Sequence, residues 1–204
     1  MTIGEIDQKY SNKIIIGVDD VGRGCIAGNL YLGFVSLNIL SEYPNIDDSK
    51  KLSKIFKNDE KRFILDKFIK DNSKYLIMQV SVEQINTGRN LNNLVNIQII
   101  NGLNIFCNKY NIDKKNLIVF MDGFDFCKDT VYNIIFKPKF DLLSVNVAAA
   151  SIIAKNVQVS AMKEMHNRFP QYHFNEHNGY ATKKHKESIK ECGLSPYHRV
   201  NWCK

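Results

Sequence analysis

Hydrophobic positions along the chain follow two rhythms, one of short continuous or alternating runs and one of helical spacing. Three β-branched residues, Ile14, Ile15 and Ile16, open a buried strand that runs straight into two carboxylates, Asp19 and Asp20. Residues 30–39 are apolar and aromatic at strand length and predict a second strand paired with the first. A polar connection over 41–53 contains Pro44, and Ser53 is placed to cap a helix over 53–70, where Ile55, Phe56, Phe63, Ile64 and Phe68 lie near helical spacing. Residues 75–85 read as a third strand. Leu91, Leu94, Val95, Ile99, Leu103 and Phe106 then mark an amphipathic helix over 91–110. The apolar run 117–121 stops at Asp122-Gly123, as a buried central strand does, and 132–136 predicts a fifth strand. The strongest helix spans 147–165, with Ala148, Ala149, Ala150 and Ser151 small enough for close approach to a sheet. Beyond Pro170 the chain turns polar and histidine-rich, with a last helix over 182–191. This order predicts an α/β layered domain with a mixed sheet: residues 1–13 as a tail or short lead-in, and 14–204 as a single domain ending in a helical segment.

Composition changes this picture little. The 204 residues are 44% hydrophobic and 24% charged, ordinary for a globular protein, and no apolar run reaches bilayer length. The first dozen residues carry acids and no apolar core of a secretory signal, so a cytoplasmic or otherwise intracellular location is expected. A net charge of +7 points to a polyanionic partner, although a chain rich in Lys, Asn and Ile and poor in Arg owes part of that excess to coding bias. Five cysteines (Cys25, Cys107, Cys127, Cys192 and Cys203), odd in number and without paired spacing, favour reduced thiols over a disulfide framework or a zinc site. His173 and His177 are four apart, but the proline before them and Gly179 after them leave a ligating helix unsupported. Trp202 is assigned no function.

The candidate chemistry lies at the strand ends. Asp19, Asp20 and Asp122 end predicted strands, and Asp141 lies seven residues before Ala148, the first of the small residues of the strongest helix. Carboxylates gathered in one place repel one another, and a hard cation stabilises their ionised forms. Gly22-Arg23-Gly24 follows at once, a cation between two residues whose backbone can approach a ligand closely.

On these residues the chain resembles type 2 ribonuclease H, the ribonuclease HII family. Gly17-Val18-Asp19-Asp20-Val21-Gly22-Arg23-Gly24 is similar to the family's opening motif, and Asp48-Ser49-Lys50-Lys51-Leu52-Ser53 and Asn90-Leu91-Asn92 match its next blocks. Asp122 matches the third acid. Lys139-Phe140-Asp141 with residues 148–155, then 177–185 and 195–199, complete six blocks in order.

The resemblance implies a ribonuclease H-like fold with a five-stranded mixed sheet flanked by helices and a C-terminal helical extension. It implies a metal-dependent endonuclease acting on RNA/DNA hybrid duplexes and on DNA containing ribonucleotides. Asp19, Asp20, Asp122 and Asp141 would be the catalytic and metal residues, holding Mg2+ or Mn2+ in a two-metal site. Gly22, Arg23, Gly24, Lys50 and Tyr180 would bind substrate. A monomer without membrane association is expected. Three departures stand out: Asp20 where the family has glutamate, Cys25 and Asn29 where prolines are usual, and bulky Phe140 before the fourth acid. The first supports an alternative, a catalytically weak nucleic-acid-binding protein on the same fold. A resolvase or transposase nuclease core would lack the Tyr180 block, and the type 3 relative would need an extra N-terminal domain.

Overall fold

The computed structural model describes residues 4–37, 58–123 and 131–203. After a short helix α1 (Glu5–Lys9), strands β1 (Ile14–Val21) and β2 (Leu30–Leu37) are followed by helix α2 (Asp59–Asn72), strand β3 (Ser73–Val80) and helices α3 (Val82–Asn86) and α4 (Leu91–Tyr110). Strands β4 (Leu117–Asp122) and β5 (Ile134–Lys137) then lead to the long helix α5 (Val145–Arg168), and α6 (Phe174–His177) and α7 (Lys183–Cys192) follow. The sheet order is β3-β2-β1-β4-β5. β1, β2 and β3 form an antiparallel meander, while β4 and β5 join β1 in parallel. This is the mixed five-stranded sheet that the sequence predicts.

Alternation along the strands sorts the two faces. Ile16, Val18, Leu32, Phe34, Val119 and Met121 meet Val95, Ile99, Leu103 and Phe106 of α4 in the larger core. On the opposite face Val35, Leu37 and α2 residues Leu65 and Ile69 pack with the alanines of α5, and Ile15, Ile118 and Phe120 pack with Phe140 and Val147. Each fully buried Leu, Ile or Phe stabilises the fold by roughly 1.5–3 kcal/mol relative to exposure.

Several boundaries differ from the sequence expectation. The third strand stops at Val80, because Ser81 and Gln84 close a reciprocal capping box that turns 82–86 into α3. α2 is capped by Asn58, whose side chain accepts from the Lys61 N–H at 2.9 Å; Ser53, Ile55 and Phe56 lie outside the described residues. Phe63 and Ile64 are exposed, and the helix instead buries Leu65 and Ile69, with Phe68 packed against them. The lead-in contains α1, whose buried Asp7 accepts from Ser144 Oγ at 2.8 Å, the Val145 N–H at 3.1 Å and Asn146 Nδ2 at 2.6 Å. A carboxylate thus sits at the N-terminus of α5, where free N–H groups and the helix dipole favour it.

Candidate active site

β1 and β4 place the first pair of acids. Val18 pairs with Met121 in parallel register, so the next residues, Asp19 and Asp122, stand side by side where the two strands end. Alternation turns Asp19 toward α5 and Asp20 toward α4. α5 crosses this end of the sheet at very close range: a Cβ on Gly17 would overlap the backbone of Asn146 and Val147, and one on Gly33 would overlap that of Ala150. The close crossing brings Ser151 to the Asp19 carboxylate, which accepts its hydrogen bond.

The fourth acid, Asp141, sits in the short 3-10 turn Phe140–Leu142 that leads into α5. Phe140, the bulky departure, is fully buried against Phe120 with ring centroids 4.9 Å apart, and its backbone N–H donates to Asp122 Oδ1 at 2.6 Å. Its bulk therefore fills core and pins the turn that carries Asp141 beside Asp122.

Burial pushes the Asp19 carboxyl well above the usual carboxylate range, and the neighbouring charges of Asp20, Asp122 and Asp141 push it further. Asp122 is raised by burial and by Asp20, against the opposing hydrogen bond from Phe140. Asp141 is raised by burial and by Asp122. These sites behave as one coupled group that favours either a proton or a cation. Asp20 differs. Arg23 holds it with both carboxylate oxygens engaged, Nη2 to Oδ1 at 2.8 Å and Nε to Oδ2 at 3.2 Å, and Arg23 Nη1 is itself held by Asn92 Oδ1 at 2.7 Å. Among the described residues no three His, Cys, Asp or Glu side chains converge tightly enough to ligate one ion as they stand. The donor set nonetheless fits a hard divalent cation, being all carboxylate oxygen, mutually repelling and partly desolvated.

The glycine turn is built against the end of the chain. Gly22 has φ +94°, a conformation that glycine adopts without strain. Cys25 forms an isolated antiparallel bridge with Tyr180, the Ile26 N–H donates to the Gly179 carbonyl at 2.9 Å, and the Arg199 N–H donates to the Ile26 carbonyl at 2.8 Å. The buried Arg199 guanidinium donates from Nε to the Gly28 carbonyl at 2.9 Å and from Nη1 to the Arg23 carbonyl at 3.3 Å. Tyr180 remains 39% exposed, its ring beneath Lys155 Nζ, 5.3 Å from the centroid. A Cβ on Gly24 would lie 3.9 Å from that ring.

His177, His185 and His198 are buried together behind this segment, His177 stacked on His185 at 4.1 Å. His185 Nδ1 meets the Tyr180 carbonyl at 2.8 Å and His177 Nδ1 accepts from the Gly179 N–H at 3.2 Å, while His198 ties this pair to Ser195. The structure therefore gathers Asp19, Asp20, Asp122, Asp141, Gly22, Arg23, Gly24 and Tyr180 at one end of the sheet, while Lys50 lies outside the described residues. Sequence reasoning gave no role to Ser151, Asn92 or Arg199, although each lies in a quoted block, and Gln158 carried no signal at all.

Fold and site together define a ribonuclease H-like architecture with a carboxylate cluster at the ends of two adjacent parallel strands. Solved structures with this fold include the complex of PCNA with ribonuclease HII from Archaeoglobus fulgidus (TM-score 0.68, 20% identity, 93% of each chain covered). Another is ribonuclease H2 from Pyrococcus horikoshii (TM-score 0.63, 21% identity, 92% of this chain and 93% of that one). Bst-RNase HIII in complex with Mn2+ also matches (TM-score 0.67, 19% identity, 89% and 63% covered). The family model for ribonuclease HII matches residues 16–204. The ribonuclease HII of Rickettsia bellii is 36% identical over 201 residues, covering 97% of this chain and 94% of the relative, and that of Macrococcus caseolyticus is 32% identical, covering 97% and 70%. The chain belongs to the ribonuclease HII family and is thus a type 2 ribonuclease H, an endoribonuclease.

Proposed function

We propose that this chain hydrolyses the RNA strand of RNA/DNA hybrids and cuts on the 5′ side of single ribonucleotides embedded in duplex DNA, leaving a 3′-hydroxyl. The observation that carries the reading is the pairing of Asp19 with Asp122 where β1 and β4 end, with Asp141 pinned beside them and their carboxyls raised by one another. Asp19, Asp20, Asp122 and Asp141 are the proposed ligands for Mg2+ or Mn2+. Bound there, divalent ions would supply an activated water and charge stabilisation for the departing oxygen of an in-line displacement. Ser151 orients Asp19, and the Phe140 backbone orients Asp122. Gly24, which is exposed, half-buried Arg23 and the Tyr180 ring, with Gly22 buried behind them, are the proposed contacts to the ribose, whose 2′-hydroxyl separates RNA from DNA. The test is cleavage of a duplex carrying one embedded ribonucleotide against an all-DNA control, with Tyr180→Ala compared on that duplex and on a continuous hybrid at fixed salt. Cutting at the ribonucleotide alone, with the larger Tyr180→Ala loss on the single-ribonucleotide duplex, is expected. Equal cutting of the all-DNA control refutes the reading.

A second reading is favoured by the bidentate grip of Arg23 on Asp20. An acid already neutralised by a guanidinium binds a cation poorly, and the chain would then be a weak catalyst that still binds hybrid duplex. Metal titration of binding and cleavage in parallel separates the two: duplex binding without metal-supported turnover supports the second.

A further inference from the structure

The amide of Gln158, in the middle of α5, lies beneath the glycine turn with both its nitrogen and its oxygen hydrogen-bonded. Its Nε2 donates to Cys25 Sγ at 3.2 Å and to the Asn178 carbonyl at 3.4 Å, and its Oε1 accepts from Lys155 Nζ at 2.6 Å. Three separate pieces of the molecule meet there. Cys25 ends the Gly22-Arg23-Gly24 turn, Asn178 stands two residues before Tyr180, and Lys155 reaches over the Tyr180 ring. A Cβ on Gly22 would come within 3.2 Å of the same Nε2, so the turn itself rests on this side chain. Cys25 Sγ also donates to the Asn178 carbonyl at 3.3 Å, closing a triangle between thiol, amide and carbonyl. Gln158 is fully buried, as an amide must be hydrogen-bonded to be.

We infer that Gln158 is a positioning residue for ribose recognition: with Lys155 it locks the glycine turn and the Tyr180 ring at one separation, and so sets how strictly a single ribonucleotide is distinguished from a run of them. This rests on the proposed role of Tyr180 and extends it. A single ribonucleotide offers one register only, so a loosened turn–ring pair loses it; a continuous hybrid presents a ribose at every register and tolerates the slack. Neither Gln158 nor Lys155 need touch the substrate for this.

The test is Gln158→Met, close in length and volume but without the amide, measured as kcat/KM on the single-ribonucleotide duplex and on the continuous hybrid. The ratio of the two is expected to fall by about tenfold, within what a misplacement of the order of 1 Å costs. In a Tyr180→Ala background Gln158→Met is expected to add almost no further loss of the ratio, because residues acting as one unit are not additive. A purely structural role predicts equal losses on both substrates and additive effects, and either result overturns the inference. Should Gln158→Met fail to fold by circular dichroism, Lys155→Met decides alone, with the same fall in ratio expected and an unchanged ratio refuting it. If Tyr180→Ala lowers the ratio while Gln158→Met and Lys155→Met leave it intact, only this inference fails. If Tyr180→Ala leaves the ratio unchanged, the reading of Tyr180 fails and this one with it.

Discussion

Mild acid should destabilise the fold through the histidine cluster behind Tyr180. The hydrogen bonds there fix all three rings as neutral. His185 Nδ1 lies 2.8 Å from the Tyr180 carbonyl and must donate to it, which leaves Nε2 as an acceptor facing His198 Nε2 at 3.1 Å. His198 therefore donates from Nε2 and accepts at Nδ1, where the Ser195 N–H arrives at 2.8 Å. His177 accepts from the Gly179 N–H at Nδ1 and faces the Tyr172 carbonyl with Nε2. A proton added to His185 would set two N–H groups against each other. Burial accordingly lowers His185 from 6.5 to about 4, and lowers His177 and His198 as well. In the unfolded chain His185 takes its proton near its ordinary value, so between 6.5 and about 4 the unfolded state binds more protons and stability is lost as pH falls. The loss approaches about 1.4 kcal/mol per pH unit for this one ring, roughly 3 kcal/mol over the window, a substantial share of a stability of about 5–15 kcal/mol. The carboxyls of Asp19, Asp122 and Asp141 work in the opposite sense: raised in the fold, they take protons there first and strengthen it as pH falls. The assay is therefore a difference: urea unfolding of the wild type and of His185→Asn at several pH values. The wild-type slope should exceed the variant's by about 1.4 kcal/mol per pH unit over most of that window. Coincident slopes would refute the reasoning.

Three further outcomes are expected. Asp19→Asn removes an acid whose ionised form burial and its acidic neighbours disfavour, so in chelator, at pH above its raised titration range, the variant should melt higher, while cleavage falls by more than about 100-fold; paired melting and single-turnover measurements check both, and undiminished cleavage would sink the assignment. Asp20→Glu lengthens the acid by one methylene beyond its fit to Arg23, and should raise the Mg2+-supported rate and narrow any preference for Mn2+. A clear loss in a metal titration would mean that the surrounding backbone is matched to aspartate. Gly17→Ala puts a methyl into the backbone of Asn146 and Val147 and should cost about 3 kcal/mol in urea unfolding.

The parts legible in the sequence were those that a single physical rule decides. Continuous apolar runs gave β1 and β4 with their terminal acids, and the spacing of Leu94, Val95, Ile99 and Leu103 gave α4 with both ends correct. Where two rules competed the reading failed. Residues 82–85 carry β-branched apolar residues, yet the Ser81–Gln84 capping box decides their conformation. Phe63 and Ile64 look like an inward face, but α2 docks through Leu65 and Ile69, because the orientation of a helix is set by the surface that it meets. Of the site, the acids and glycines were legible because their residue types announce their chemistry. Gln158 was not: a glutamine in mid-helix reads as solvent-facing until its partners from two distant segments, at Cys25 and Asn178, are known.

Arg199 gives this architecture an order in time. The acid-bearing strands and α5 are complete once residue 168 has been made, but the carbonyls of Arg23 and Gly28 have their guanidinium partner only after 31 further residues. Translation thus makes the segments that carry the four acids before the residue that ties down the Gly22-Arg23-Gly24 turn. A chain that stops short of Arg199 would keep its acids and lose the guanidinium that holds the Arg23 and Gly28 carbonyls, so under the function proposed above damage at the far end of the message would fall first on discrimination between substrates.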